Sequence, residues 1–175
     1  VVCRSRPLPL VEPEVSDALA AAFRAEGITL YCGIAYDACR EDETGVTICV
    51  SEGGELVELT AERLLVATGR TPNTESLGLA EAGVAQDGRG VYAAGDVTDR
   101  DQFVYMAAYG AKLAAKNALN SESLAYENSA MPWVVFTDPQ VAGVGLSEAA
   151  AKAAGHEIKT SIVPLDQVPR ALAAR

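Results

Sequence analysis

The segment Val91–Asp96, Val-Tyr-Ala-Ala-Gly-Asp, constrains the fold of this chain more than any other. A short apolar run that ends in Gly-Asp, with a helix beginning near Gln102, is typical of a buried parallel strand that delivers a carboxylate to a crevice. Gly95 has no Cβ, so a flat ligand can lie against its backbone, and ionised Asp96 accepts hydrogen bonds from sugar or polyol hydroxyls. The N-terminus of the helix carries partial positive charge, which favours negative charge on the ligand. The segment therefore predicts a nucleotide cofactor site, and a strand-end turn with a surface aspartate is the plainer alternative.

Charge and composition exclude several classes of protein. Apolar residues make up 49% of the 175-residue chain, which is not the composition of a disordered segment. The net charge of −10 argues against nucleic acid or an anionic membrane as a partner. No apolar run has the length of a transmembrane helix and no signal-peptide pattern opens the sequence, so a cytoplasmic chain is expected. Because Val1–Cys3 has the character of a strand interior, we expect that the N-terminal part of the protein is missing.

Alternating periodicities over residues 1–67 predict the order strand, helix, strand, hairpin, strand. Apolar residues at helical spacing, followed by Gly27, indicate a helix over Glu14–Glu26. The predicted extended segments are Val1–Cys3, Ile28–Cys32, Val46–Ser51, Glu55–Leu59 and Leu64–Ala67, with Gly53-Gly54 at the hairpin turn. This order is similar to the second half of a dinucleotide-binding βαβ fold whose glycine-rich first turn is absent.

Arg4, Ser5 and Arg6 follow directly on the first predicted strand. In dinucleotide-binding folds the residues after the second strand meet the adenosine ribose, where a carboxylate selects a free 2′-hydroxyl and arginine accommodates a 2′-phosphate. Two guanidinium groups around a hydroxyl match a phosphate well. We therefore predict that this half-site prefers NADPH to NADH, and two solvated arginines after a strand are the alternative.

The cysteines and the single histidine form no catalytic or metal-binding motif. The cysteines are Cys3, Cys32, Cys39 and Cys49. They lack a C-x-x-C and any metal-ligand spacing, so we interpret them as small apolar side chains rather than a redox pair of Cys32 and Cys39. His156 lies in a Gly-His-Glu segment and is interpreted as a surface residue, which leaves no support for a Ser-His-Asp or Cys-His unit. The sequence thus assigns no catalytic residue and no metal ligand.

Two segments resemble the pyridine-nucleotide disulfide oxidoreductase family: Val66–Asn73, which contains Ala-Thr-Gly-Arg, and Tyr92–Asp96. Further stretches are similar to its mercuric reductase branch in particular, namely Gln102–Tyr105, Ala130–Pro132, Val135–Ala142 and Val168–Leu172. The resemblance runs over essentially the whole chain. It implies an α/β protein, with a partial doubly wound FAD/NAD(P)-binding fold followed by the start of an α+β dimerisation domain.

The resemblance also implies a division into domains and a set of cofactor contacts. Residues 1–65 would be the second half of an NADP(H)-binding domain, residues 66–121 the return into an FAD-binding domain, and residues 130–175 the start of the interface domain of a homodimer. Asp96 would accept a hydrogen bond from the flavin ribityl chain, the backbone at Gln102–Val104 would lie at the flavin pyrimidine end, and Gly69 would lie against the nicotinamide dinucleotide. The implied cofactor-binding residues are Arg4, Ser5, Arg6, Thr68, Gly69, Arg70, Gly95, Asp96, Gln102, Phe103, Val104 and Tyr105.

The activity implied is the passage of electrons from NADPH through FAD to a cysteine pair that holds Hg(II) and reduces it to Hg(0). Soft thiolates suit this soft metal. The sequence contains neither the family's flavin-adjacent Cys-x4-Cys nor its two G-x-G-x-x-G loops, so the isolated chain is expected to be inactive. Between Gly90 and Val91 the sequence is also shorter than the family by a strand and a turn, for which a deletion, an omitted loop and a truncated gene are the alternatives.

Two alternative functions stay open. The first is another member of the same family, such as a relative of dihydrolipoamide dehydrogenase or glutathione reductase, against which Gln102–Tyr105 argues. The second is a non-catalytic nucleotide-binding or interaction domain. The colour of the purified chain separates this second alternative from the enzymes, because bound flavin is yellow.

Overall fold

The computed structural model describes residues 1–83, 91–120 and 122–173. These residues form two compact units. The first unit comprises Val1–Leu64 together with the described residues from Ser129 onward, and the second unit comprises the described part of Leu65–Asn128. The three-domain division expected from the sequence stays a prediction. Among the described helices, none combines the length and the apolar character that a membrane crossing requires.

Helix α1, Pro13–Ala25, confirms the first helix predicted from the sequence. Pro13 stands in its first turn, where the missing N–H would have had no partner within the helix. Gly27 follows the helix with φ of 84°, a left-handed conformation that glycine adopts without strain. The residues that the helix buries are Ser16, Leu19 and Ala20.

Strands β1, Val2–Cys3, and β2, Tyr31–Cys32, pair in parallel. Both lie within segments predicted to be extended, and β2 is shorter than predicted. Beyond the strands, the Gly33 N–H donates to the Ser5 carbonyl at 2.8 Å. This bond holds the loop after β1, which carries Arg4–Arg6, close to the end of β2.

An antiparallel sheet follows, with β4 in the centre. Its strands are β3, Ala35–Asp42, β4, Gly45–Glu52, and β5, Glu55–Ala61. The hairpin of β4 and β5 is confirmed, and Gly53 and Gly54 take φ of 60° and 92° in its turn. The sequence does not predict β3, because every one of its residues is exposed and no apolar alternation marks it. Val50, on the central strand, is fully buried.

The last part of the first unit contains strands β6, Pro132–Val135, and β7, Val141–Val144, which pair antiparallel, and helices α3, Glu148–Ala153, and α4, Pro169–Ala173. Gly143 lies against the Trp133 ring, where a Cβ would stand 2.5 Å from a ring carbon, so this position requires glycine. The Ser147 hydroxyl caps α3. The Glu148 N–H donates to the Glu12 carboxylate at 3.0 Å, which joins this segment to the residue before α1.

Helix α2, Val104–Asn120, lies in the second unit and confirms the helix predicted to begin near Gln102. A 3₁₀ turn at Asp96–Thr98 precedes it. The strands predicted at Leu64–Ala67 and within Val91–Asp96 are wrong, because neither segment forms a strand.

The exposure of these two segments gives the physical reason. Leu65 is 90% exposed and Tyr92 is 51% exposed, although both are apolar or aromatic. A parallel strand needs a partner strand to pair with its backbone, and it needs helices or other elements packed over its two faces. Among the residues that the structure describes, no strand pairs with either segment.

Candidate cofactor site

The turn at Asp96 and the residue Gln102, two positions before α2, border a cleft of about 300 Å³ in the second unit. Its lining residues are Arg70, Thr71, Pro72, Asn73, Asp96, Val97 and Gln102. Gly95 takes φ of 83° immediately before the 3₁₀ turn, so the backbone changes direction just before the Asp96 carboxylate. The cleft thus brings together three residues of the predicted cofactor site: Arg70, Asp96 and Gln102.

Arg70 joins the two sides of this cleft. Its Nη1 lies 3.3 Å from Oδ2 of Asp96, and its Nη2 donates to the Gln102 carbonyl at 2.7 Å. The Arg70 and Asp96 side chains are 61% and 56% exposed, so water screens the ion pair and its main effect is to position the two groups. Asp96 is therefore a solvent-accessible acceptor inside a cleft, although the sheet edge expected beside it is not formed by the described residues.

Gly95 also packs closely on α2. A Cβ at this position would lie 3.2 Å from the Ala107 Cβ, and the positive φ would strain any other residue. Backbone conformation and helix packing therefore each favour glycine here. The role in cofactor binding that the sequence suggests for Gly95 stays a prediction beside these two.

The remaining predicted residues of this unit do not line the cleft. Thr68 and Gly69 are exposed, and Gly69 takes φ of 140° with open space where a Cβ would stand. The Phe103 and Tyr105 rings stack with their centroids 5.4 Å apart. Val104 is 84% exposed. The start of α2 thus carries an aromatic pair and an exposed apolar side chain, none of which lines the cleft.

In the first unit, Arg4 and Arg6 have different environments. Arg4 and Ser5 are exposed on the loop after β1. Arg6 is half-buried, and its Nη2 donates to the carbonyls of Pro9 and Val11 at 3.3 Å and 2.7 Å. The sequence suggests two equivalent guanidinium groups for a phosphate, whereas in the structure Arg6 holds its own loop and Arg4 with Ser5 faces solvent.

The structure contains a polar and aromatic cluster beside α2 that the sequence does not predict. Oδ2 of Asp101 accepts hydrogen bonds from the Tyr126 hydroxyl at 3.0 Å and from the Asn128 amide at 2.7 Å. Burial, followed by the hydrogen bond to Asp101, raises the pKa of Tyr126. The Arg100 guanidinium lies 5.8 Å from the centre of the Tyr126 ring. Because Asp101 and Tyr126 are 25 positions apart, the sequence does not predict that they are in contact. The only local indication is an aromatic residue in a polar segment.

The cysteines do not all behave as small apolar side chains. Cys49 is 5% exposed, as that interpretation requires, but Cys39 is exposed. Cys32 lies beside Cys3 rather than Cys39, with the two Sγ atoms 3.4 Å apart. Burial, then the hydrogen bond with Cys32, raises the pKa of the Cys3 thiol. His156 is exposed, and the described residues contain no group of three side chains able to hold a metal ion.

Two parts of the chain match the sequence pattern of a known protein family. Residues 1–115 match "Pyridine nucleotide-disulphide oxidoreductase", and residues 131–175 match the dimerisation domain of that family. The chain belongs to the pyridine nucleotide-disulphide oxidoreductase family. The expected α/β fold class, a partial nucleotide-binding fold followed by the start of a dimerisation domain, is confirmed.

Mercuric reductases are among the similar proteins, as the resemblance suggests. The chain is 41% identical to mercuric reductase from Bacillus cereus over 97% of its length and 29% of the reductase. It is 39% identical to mercuric reductase from Staphylococcus aureus over 92% of its length and 32% of that protein. Dihydrolipoyl dehydrogenase from Thermus scotoductus is 34% identical, over 94% of the chain and 39% of the dehydrogenase. The chain therefore spans about a third of the length of these relatives.

Two solved structures share the fold. The HOCl-induced flavoprotein disulfide reductase RclA from Escherichia coli, solved as a Cu(II) complex, has a TM-score of 0.81 and 25% identity, over 99% of this chain and 42% of RclA. LpdA from Mycobacterium tuberculosis, at 24% identity with a TM-score of 0.80 over 99% of this chain and 40% of LpdA, supports the fold alone.

The alignment with the Bacillus cereus reductase spans 184 positions, more than the 175 residues of this chain. The reductase therefore contains residues that this chain lacks. The shortening predicted between Gly90 and Val91 stays a prediction, because Gly90 lies outside the described residues.

Proposed function

We propose that this chain is part of an NADPH- and FAD-dependent flavoenzyme that reduces Hg(II) to Hg(0) and works as a cytoplasmic homodimer. Identities of 41% and 39% to two mercuric reductases, against 34% to a dihydrolipoyl dehydrogenase, favour mercury over a dithiol substrate. The match of residues 131–175 to a dimerisation domain supports the homodimer.

The cleft of Arg70, Asp96 and Gln102 carries the flavin part of the proposal. Asp96 provides a half-exposed carboxylate, which fits a polyol hydroxyl as a hydrogen-bond acceptor. Arg70 contacts both that carboxylate and the carbonyl of Gln102, which lies two positions before α2. The positive N-terminal end of α2 favours negative charge on a ring edge. These residues fit the ribityl chain and the electron-rich edge of FAD, which when bound supplies electron transfer between a nicotinamide and a dithiol.

The loop after β1 carries the preference for NADPH. Arg4 and Ser5 are consecutive exposed residues, and a guanidinium together with a hydroxyl suits a phosphate. Arg6 acts on the loop itself, since its donors reach the carbonyls of Pro9 and Val11. We assign contact with the 2′-phosphate to Arg4 and Ser5, and positioning of their loop to Arg6.

Flavin binding by the purified chain tests the cleft, with quenching of flavin fluorescence as the readout. Asp96→Asn keeps the shape of the side chain but removes its charge, so we expect FAD to bind about tenfold more weakly, the effect of about 1.4 kcal/mol from one charged hydrogen bond. Asp37→Asn is the matched control, because Asp37 is exposed on β3 in the first unit. Equal weakening by both substitutions, or a wild-type chain that does not bind FAD, contradicts this part of the proposal.

Segment exchange tests the reaction. The corresponding part of the Bacillus cereus mercuric reductase is replaced by this chain, and Hg(II)-dependent oxidation of NADPH is measured in the yellow, folded product. Retained activity supports the proposal. A folded flavoprotein that oxidises NADPH with another acceptor but not with Hg(II) contradicts it, and the unmodified reductase provides the reference rate.

The same exchanged protein tests the nucleotide preference. Arg4→Glu should raise the KM for NADPH far more than the KM for NADH, because only NADPH carries the 2′-phosphate that the new carboxylate repels. Arg24→Glu makes the same charge change on an exposed residue of α1 and should leave both constants unchanged. A rise of equal size for the two nucleotides would assign Arg4 to a solvated surface instead.

A further inference from the structure

The first unit contains a pair of cysteines that the proposed function does not use. Cys3 ends β1 and Cys32 ends β2, and the parallel register sets them directly opposite each other. Their Sγ atoms are 3.4 Å apart, and both residues are partly exposed. We propose that Cys3 and Cys32 form an oxidisable dithiol, a modification site that closes to an intramolecular disulfide on reaction with a low-molecular-weight disulfide such as oxidised glutathione.

The spacing of the two strands permits this disulfide without movement of the backbone. Neighbouring strands lie about 4.8 Å apart, and disulfides join Cα atoms about 4.4–6.8 Å apart. The sulfurs must approach from 3.4 Å to the S–S bond length of about 2.05 Å, a movement of about 1.4 Å that small side-chain rotations supply. The proposal is specific to this pair, because Cys39 lies opposite Ile48 and Cys49 lies opposite Ala38 and Glu58.

Backbone hydrogen bonds just beyond the two cysteines keep the strand ends together. The Gly33 N–H donates to the Ser5 carbonyl at 2.8 Å, and the Ile34 N–H donates to the Cys3 carbonyl at 3.4 Å. The residues that follow each cysteine are therefore tied to the opposite strand end. The two thiols stay within reach of each other in the reduced chain, which raises the effective concentration of one thiol at the other.

The reaction is two successive thiol–disulfide exchanges. One protein thiolate attacks a sulfur of oxidised glutathione, which forms a protein–glutathione disulfide and releases one glutathione thiolate. The second protein thiolate attacks the modified protein sulfur, which forms the Cys3–Cys32 bond and releases the second glutathione thiolate. Two protein thiols are oxidised, one glutathione disulfide is reduced to two thiols, and the two protons lost by the protein are taken up by glutathione or solvent.

Cys39 provides an internal comparison, because it is an exposed thiol with a non-sulfur residue as its strand partner. The reaction of Cys39 should stop at the mixed disulfide with glutathione, whereas a glutathione attached to Cys3 or Cys32 should be displaced by the other of these two thiols. The full chain is treated with excess oxidised glutathione at mildly alkaline pH, since burial raises the pKa of the Cys3 thiol. The remaining thiols are then alkylated, and the intact mass and the linked peptides are measured by mass spectrometry.

Before alkylation, we expect a product with one intramolecular disulfide, which removes two hydrogen atoms, and with one glutathionyl group in place of the thiol hydrogen of Cys39. Proteolytic cleavage after Tyr31 and Tyr36 separates Cys32 from Cys39. It should give a peptide with Cys32 that is disulfide-linked to the peptide with Cys3. Cys39→Ser should keep the cross-link and lose the adduct, whereas Cys3→Ser and Cys32→Ser should abolish the cross-link. Dithiothreitol added to a sample that has not been alkylated should restore all four thiols of the wild-type chain.

The peptide map of the wild-type chain decides the result without relying on any variant. Separate glutathione adducts on Cys3 and Cys32 would overturn the proposal, because they show that the second exchange does not occur. Two unmodified thiols at these positions, with Cys39 modified in the same sample, would overturn it as well. A cross-link of Cys32 to Cys39 would also contradict it.

Discussion

The centre of the β3–β5 sheet and the segment Leu65–Val66 of the second unit bury their apolar residues to very different extents. In the sheet, each strand pairs with its neighbour along the chain, and Val50 at the centre is fully buried. In the second unit, Leu65 and Val66 are 90% and 67% exposed, although they are equally apolar. Antiparallel neighbours need only a short turn, whereas a parallel strand needs a partner from a distant part of a chain. The sheet therefore contains what stabilises it, and the exposed segments of the second unit have no strand partner among the described residues.

An aspartate placed in each region gives the largest expected difference. Val50→Asp should lower the free energy of unfolding by about 3–5 kcal/mol, because an ionised carboxylate would be buried without a partner. Leu65→Asp should change it by no more than about 0.5 kcal/mol, because that side chain is already in water. Urea denaturation followed by circular dichroism measures both values.

Leu56→Asp is the matched control for Val50→Asp, since Leu56 lies on β5 of the same sheet and is 65% exposed. Its effect should equal that of Leu65→Asp. Similar destabilisation by Val50→Asp and Leu65→Asp would show that the second unit covers Leu65 and would remove the contrast between the two regions.

The same contrast explains which elements the sequence predicts. The hairpin of β4 and β5 is visible because apolar alternation and Gly53-Gly54 are local signals. Strand β3 is not, because its polar residues form a strand only through backbone pairing with β4. Val91–Asp96 has the apolar run of a buried strand, but its environment depends on partners that no local pattern contains.

The candidate sites divide in the same way. Asp96 and Gln102 are identified from segments that resemble a family, and the structure adds that Arg70 contacts both. The pairing of Cys3 with Cys32 is invisible in the sequence, because 29 residues separate them and only the register of two short strands sets them opposite each other. Family motifs thus identify single residues, whereas contacts between distant residues require the fold.

Two glycines extend the comparison at a smaller scale. Gly143→Ala should destabilise the first unit by about 1–3 kcal/mol, because the new Cβ overpacks against the Trp133 ring. Gly110→Ala should stabilise α2 by about 0.5–1 kcal/mol, because alanine favours the helix. Its Cβ meets only ordinary contacts, the nearest at 3.5 Å. Thermal unfolding of the two variants measures both signs, and destabilisation by Gly110→Ala would show that α2 is packed as tightly as the Trp133 strand.

Alkaline pH should act on the second unit through Tyr126. Its pKa is raised above the ordinary value of 10.0 by burial and by the hydrogen bond to Asp101. The stability contributed by the neutral phenol is therefore complete below pH 10.0 and is lost as the pH rises through the raised pKa. The absorbance of tyrosinate during a pH titration, compared between wild type and Tyr126→Phe, measures the raised pKa, and unfolding at each pH measures the loss.

Tyr105→Phe is the control for this titration, because it removes one phenol from the first turn of α2 and leaves the Tyr126–Asp101 bond in place. It should keep the alkaline loss of stability that Tyr126→Phe lacks. An identical alkaline profile for wild type and Tyr126→Phe would mean that the Asp101 contact does not exist in solution.

Acid pH should have the smallest effect, and it should fall on the β3–β5 sheet. The Arg40 guanidinium makes two hydrogen bonds to Glu58 across the sheet, at 3.1 Å and 2.7 Å, and lowers the pKa of that carboxyl below its ordinary value of 4.5. The contribution is present above pH 4.5 and is lost as the pH falls through the lowered pKa. Because both side chains are more than half exposed, we expect a slight effect that high salt removes.

Glu58→Gln should flatten the acid limb of the unfolding profile, whereas Glu55→Gln on the same strand should not. An acid limb equally steep in wild type and Glu58→Gln would assign the stability of this sheet to its backbone pairing and buried centre alone.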